Sequence, residues 1–287
     1  MEQIKVAVIS FTPNMLDLLL AKERGFYAEQ GLEVQWVPLA GEKGIRGLLE
    51  EKVDFSLQIA SALKLVMTEN AGLKIVLIIH RDPPHWMMGR PGLSLEDLRG
   101  KTVGSGGRGS DSALLVEAWL RKAGLEPDVD VSVSYHGAQS TWARGWIRMT
   151  DDVPMAIPLE REILEARGWA PLVELCTLFP GLLNHGLVVT EKTIESRPQM
   201  IKKMVKAHRE VARYIHNSAD EVIDFIQKQW QVDEEAASKS YSYLSGVFCA
   251  ELQAEDLQPV LGATAQQLGK TPLEAEMVMD SRFVLEE

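Results

Sequence analysis

Four short β-rich runs, IKVAVIS (4–10), LEVQWVPL (32–39), VDFSLQIA (53–60) and LKIVLII (73–79), alternate with segments of helical length in the first ninety residues. Strands separated by helices are best joined as right-handed crossovers, so this alternation predicts a mainly parallel sheet covered on both faces. The first helix has a readable start: Thr12 is placed to cap it, Pro13 takes its first position and Asp17 lies early in its course, with Gly31 marking its end. A second α/β series begins near residue 93. Ser94 and Asp97 stand at capping-box spacing, TVGSG follows as a short strand, and a helix runs from Ser110 to Ala123 before Gly124. VDVSVSY (129–135) alternates like a strand. VPMAIP (153–158) is another, followed by a helix through Glu165 and a strand near 172–178.

After NHGLVVT (184–190) the pattern becomes almost purely helical, with helices expected over 198–217, 219–230, 233–245 and 255–269 and a capping box at Ser218 and Glu221. No low-complexity linker or long repeat divides the chain. Two α/β halves and a helical tail without a linker suggest two lobes sharing the chain discontinuously, with a ligand between them.

Composition narrows the function. A chain that is 46% hydrophobic and 25% charged can bury a substantial core. No window approaches the roughly 18 uninterrupted apolar residues of a membrane-spanning helix, and no membrane insertion is expected. A formal charge of -11 without a cluster of Lys and Arg argues against nucleic acid as a partner. Cys176 and Cys249 lie far apart, with no Cys-x-x-Cys spacing, and read as free thiols rather than a zinc site or redox pair.

The stretch GSGGRGSDSALL (104–115) invites comparison with a phosphate loop, but it lacks the Lys-Ser/Thr ending of a nucleotide P-loop and the Gly-x-Gly-x-x-Gly rhythm of a dinucleotide site. Neither a Gly-x-Ser-x-Gly elbow nor a His-Glu-x-x-His motif occurs.

Three further segments carry a resemblance. AKERGFYAEQGLEVQWVPLAGEKGIRGLLEEKVDF (21–55), SLEDLRGKTVGSGGRGSDSALLVEAWLRKAGLEP (94–127) and LVVTEKTIESRPQMIKKMVKAHREVARYI (187–215) resemble, in order and spacing, the bacterial solute-binding proteins that serve nitrate, sulfonate, taurine and thiamine-pyrimidine precursors. That resemblance implies a type II periplasmic-binding-protein fold: two α/β lobes, 1–88 with 187–287 and 89–186, joined by strands crossing near 80–92 and 180–187. It implies a small organic ligand, anionic or aromatic, in the cleft, an ABC-transporter permease as partner, a monomer, and neither cofactor nor metal.

Open α/β sheets place ligands beyond the carboxyl ends of their strands and at helix starts. Applied residue by residue, the resemblance places Ser10, Phe11 and Thr12 after the first strand, Gly41 and Glu42 after the second, and Ala60 and Ser61 after the third. On the second lobe it places Gly107, Arg108, Gly109, Ser110 and Asp111. Thr12 and Ser110 can equally be helix caps, and Arg108 either a solvated loop residue or a bidentate fork for an oxyanion. Glu42 leaves a zwitterionic or neutral polar ligand open.

In HRDPPHWMMGRPG (80–92), Arg81 or His85 can bind an anion and Trp86 can stack on a ring or close over a cation, with a structural role for His85 and packing of the interlobe strand by Trp86 as equal alternatives, whereas His80 reads as an interior histidine and the Met pair as packing. Asn184 and His185 border the cleft on the return strand. Asp151 and Asp152 read as a turn that caps a strand or helix, and Trp142 and Trp146 as packing.

The competing function is an enzyme on the same scaffold, of the pyrimidine-precursor synthase or aromatic decarboxylase type. The synthase's CCCFC motif is absent, and LQIASALK, with Gln58, stands where its cofactor-bearing lysine is expected. Met1 stands just ahead of the first strand with no export signal. A removed leader would imply an extracytoplasmic protein, and native initiation at Met1 a cytoplasmic one.

Overall fold

A computed structural model describes residues 1–8, 11–82, 84–107, 111–136, 151–181 and 183–285, Asp111 and Leu285 by backbone alone. The chain opens with β1 (Glu2–Val8), a 3-10 turn at Pro13–Met15, α1 (Leu16–Glu23), α2 (Phe26–Glu29), β2 (Leu32–Pro38), α3 (Glu42–Leu49), β3 (Phe55–Gln58), α4 (Ile59–Glu69) and β4 (Leu73–Arg81). It continues through β5 (Trp86–Gly89), β6 (Thr102–Ser105), α5 (Asp111–Lys122), β7 (Ser132–Tyr135), β8 (Met155–Ala156), α6 (Glu160–Ala166), β9 (Ala170–Glu174), α7 (Leu175–Leu178) and β10 (Leu183–Thr190). The helical part comprises α8 (Glu191–Ser196), α9 (Pro198–Asn217), α10 (Ala219–Trp230), α11 (Glu234–Ser245), α12 (Ala254–Leu268) and α13 (Arg282–Leu285), interrupted by β11 (Phe248–Glu251).

The large sheet has the order β11-β4-β10-β3-β1-β2. β1 runs parallel to β2 and β3, but β10 lies antiparallel between β3 and β4, and β11 is antiparallel at the edge. The mainly parallel sheet expected from the alternation is therefore corrected to a mixed one. β10 does not arrive by a crossover helix from a neighbour; it returns from the second sheet, so its direction is set by where the chain comes back. Seven of its eight residues are buried because both faces are covered. One core gathers Leu16, Leu20, Val76, Leu187, Val205 and Val211. The other gathers Ile45, Ile59, Leu63, Ile78, Val188 and Leu261.

The second unit contains the antiparallel trio β8-β5-β9 and the parallel pair β6-β7, bridged at Val103 and Val153. Its core holds Val103, Val116, Trp119, Leu120, Val133 and Leu175. The strand expected near 172–178 ends at Glu174 and turns into α7.

Two segments join the sheets, from β4 to β5 and from α7 to β10, and they are tied to each other. The Gly181 N–H donates to Asp82 Oδ1 at 2.6 Å. Gly181 has φ +79°, and a Cβ there would lie 2.7 Å from Pro259, so both conformation and space demand glycine.

Several local expectations are revised. Thr12 stands at the N-cap position, but its side chain makes no capping hydrogen bond, and the helix breaks at Gly25 (φ +84°) rather than at Gly31. Ser94 and Asp97 do pair, Oγ to Oδ2 at 2.7 Å. Ser218 makes no side-chain cap, and Glu221 accepts from the Tyr214 hydroxyl at 2.7 Å instead. Among the described residues no helix is long and apolar enough to cross a membrane.

Candidate functional site

The carboxyl ends of β1, β2 and β3 bring their residues to one edge of the large sheet, as parallel pairing requires. Phe11, 39% exposed, lies against Trp36 with ring centroids 4.8 Å apart, and the Lys22 ammonium sits 4.4 Å from the Trp36 ring centre. An aromatic side chain left this open beside a second ring offers a stacking surface. Gly41, at φ +57°, opens α3, and the position of a Cβ on it lies 3.9 Å from Ser61 Oγ, so the second and third loops meet. Ser61 and Thr12 are almost buried, and Ala60 is half-buried. Glu42 is held by Arg46 and Lys64, at 3.2 and 3.3 Å. Gln58 is framework: its Oε1 accepts from Ser56 Oγ at 2.6 Å and its Nε2 donates to the Leu39 carbonyl at 3.2 Å.

A buried histidine cluster stands where β4 and β10 pass toward the second sheet. His80 and His185 are paired across the strands and stacked, with centroids 5.6 Å apart at 15°. Burial, reinforced by the neighbouring His185 and His85, holds His80 well below the ordinary imidazole range. Burial also pushes His185 down to about 4, against the opposing pull of Asp17. Neither His80 nitrogen has a hydrogen-bond partner among the described residues, and the same holds for His185 Nδ1 and Asn14 Oδ1. Asp17 Oδ2 lies 3.1 Å from His208 Nδ1, out of line for a hydrogen bond. His85 and Asn184 are also buried.

Two sequence candidates are drawn away from this edge. The Arg81 guanidinium is taken by Asp256 at 2.6 Å and Glu251 at 3.3 Å, on α12 and β11. Trp86 is 1% exposed, enclosed by Tyr243 (centroids 4.8 Å) and the Arg161 guanidinium (4.7 Å), and packs the second sheet against α11. Both act as structural ties, because Asp256, Glu251 and Tyr243 arrive from the C-terminal part of the chain. Ser10, Arg108, Gly109 and Ser110, with Trp142 and Trp146, lie outside the described residues. Gly107 is half-buried just after β6, and Asp111 opens α5.

On the second unit, one residue that sequence reasoning passed over stands at the matching edge. His136 follows the carboxyl end of β7, and its Nε2 lies 2.5 Å from Asp151 Oδ2. The rule applied to the first three strands and to TVGSG, to inspect the residues beyond the carboxyl end, selects it when extended to VDVSVSY. Asp151 and Asp152 divide the capping role assigned to them: Asp152 accepts the Thr102 N–H at 2.8 Å at the start of β6, while Asp151 is committed to His136. Among the described residues no group of three His, Cys, Asp or Glu side chains is arranged to hold a metal ion.

A family model described as NMT1/THI5 like matches residues 12–222. The chain belongs to the NMT1/THI5-like family. A curated relative, the riboflavin-binding protein RibY of Chloroflexus aurantiacus, is 28% identical over 220 residues, which are 72% of this chain and 60% of that protein. The chain thus spans well under two-thirds of the length of that relative.

Solved structures agree on the fold. The alkanesulfonate-binding protein SsuA from Xanthomonas axonopodis pv. citri, bound to MOPS, superposes with a TM-score of 0.77 at 16% identity, covering 98% of this chain and 99% of that one. The desulfurization enzyme DSZB superposes at 0.68 and 15% identity, covering 99% and 98%. The NMT1/THI5-like chain therefore has the periplasmic-binding-protein architecture expected from its three segments, a fold that carries both binding proteins and an enzyme.

Proposed function

We propose that this protein is a solute-binding protein of an ABC import system, which closes on a small organic ligand and presents it to a permease. The observation that carries the reading is the convergence of strand ends on one edge of each sheet, together with two joining segments tied at Asp82 and Gly181. A paired hinge of this kind suits rigid-body closure, in which a ligand touches both halves only in the closed form. The division into 1–88 with 187–287 and 89–186, and a monomeric state, are parts of this proposal.

Its ligand is anionic or aromatic. The open Phe11 beside Trp36 favours a planar ring. The start of α4, where Gln58 at the N-cap makes no side-chain capping bond, favours an oxyanion. The RibY name and the MOPS-bound SsuA supply the corresponding probes, riboflavin and a sulfonate.

A thermal-shift screen of sulfonates, aromatic carboxylates, pyrimidines and riboflavin tests it, because a ligand that binds only the folded form raises the melting temperature. A hit recovered unchanged supports solute binding. A hit consumed during incubation overturns it in favour of an enzyme.

A further inference from the structure

We infer that His136 is the second unit's contact to an oxyanion of the ligand, and that Asp151, seated over Gly104, positions it. The inference rests on the solute-binding reading and deepens it.

His136 sits immediately beyond β7, and its backbone N–H donates to the Ser105 carbonyl at the end of β6 at 3.1 Å. This is the carboxyl edge of a parallel pair, where open α/β structures receive ligands. Its side chain remains 19% exposed, while that of Asp151 is 3% exposed. A carboxylate so deeply buried needs a partner, and the partner it has is the imidazole.

The backbone beneath is shaped for this pair. A Cβ on Gly104 would lie 2.5 Å from Asp151 Oδ2 and 3.2 Å from the Pro154 Cα, so only glycine at 104 lets the carboxylate settle where it reaches His136. With Nε2 committed to Asp151, the nitrogen left for a ligand is Nδ1, and among the described residues no hydrogen bond engages it. A ring protonated at both nitrogens donates to Asp151 on one side and to a ligand oxyanion on the other, placing a cation between two anions. At the same edge, Ser105 Oγ is buried and has no hydrogen-bond partner among the described residues, a second polar atom that a ligand oxygen can satisfy.

The full chain, labelled with 15N-histidine, provides the test. Calorimetry with MOPS, benzoate and flavin mononucleotide as oxyanion probes, and riboflavin as the uncharged comparator, gives affinities. Imidazole 15N shifts report the His136 tautomer. At least one oxyanion is expected to bind and to move the His136 resonances, and His136→Ala and His136→Gln each weaken it about tenfold or more, the value of a hydrogen bond to a charged group.

Asp151→Ala and Gly104→Ala, checked for folding by circular dichroism, are expected to weaken the same probe and to shift His136 in the free protein toward the tautomer mixture of unrestrained histidine. Oxyanion binding that changes by less than about twofold in His136→Ala overturns the inference, as do His136 resonances that ignore the ligand or Asp151→Ala. Binding of riboflavin with no oxyanion bound overturns the inference alone and leaves solute binding standing. A wild-type chain that binds none of the four overturns both.

Discussion

His185 and Glu160 are both buried ionisable residues, and their effects on stability run in opposite directions with pH. His185 is neutral in the folded protein because burial lowers it to about 4, while in the unfolded chain it titrates near 6.5. The unfolded state therefore takes up the extra proton as pH falls from 6.5 to 4, and stability is lost through that window, by about 3 kcal/mol for this residue at the lower end. His185→Asn is expected to flatten the slope, which urea midpoints at pH 7, 6 and 5 measure; an unchanged slope would mean that the ring is hydrated.

Glu160 behaves inversely. Burial pushes it from 4.5 up to about 8, so it stays protonated in the folded state at neutral pH while the unfolded chain ionises. Stability falls as pH rises from 4.5 to 8. Glu160→Gln can keep the 3.2 Å bond from the Ile157 N–H and should stabilise the protein at pH 7 by about 3 kcal/mol, with no gain near pH 4.5. A gain independent of pH would contradict this cause.

Residue-scale legibility was uneven for a physical reason. Thr12, Gly41, Ser61 and Phe11 follow strand ends whose hydrophobic runs are plain in the sequence, and the loops carrying Gly41 and Ser61 approach each other. Arg81 and Trp86 could not be assigned from the sequence because what holds them is remote: Asp256 lies 175 residues from Arg81, and Tyr243 comes from α11. No local pattern records such a partner.

Among the elements, the amphipathic helices α9, α10, α11 and α12 fall within a residue of their expected starts, since their apolar positions repeat with the helical period and each buries one stripe. β11 went unread because a four-residue edge strand carries too little periodicity to separate it from a loop. β10 was recognised as a strand, but its antiparallel entry between β3 and β4 depends on where the chain returns, which periodicity does not encode.

Gly186 in β10 provides an element-scale test. A Cβ there would lie 2.4 Å from the Leu77 carbonyl and 2.7 Å from Ile59 Cδ1, because β10 is flanked by β4 on one edge and crossed by α4 on a face. Gly186→Ala should cost about 1–3 kcal/mol through overpacking, read as a lower urea midpoint at unchanged m-value. An unaltered midpoint would show that α4 yields without penalty.

For the whole molecule, the large sheet and the second unit have separate cores, and two joining segments tied at Asp82 and Gly181 connect them, the frame on which the proposed closure on a ligand rests. The proposed division of the chain rests on a helical tail following a second α/β series without a linker, which has few other ways to bury its apolar faces. The proposed ligand was less legible, since the polar groups of the candidate site come from loops distant in sequence. The most direct measurement is calorimetry of the full chain against sulfonates, aromatic carboxylates, pyrimidines and riboflavin, followed by recovery of each bound compound. One ligand per chain, recovered unchanged, is the expected result; absence of binding across all four classes, or a bound compound returned as a different product, would contradict solute binding.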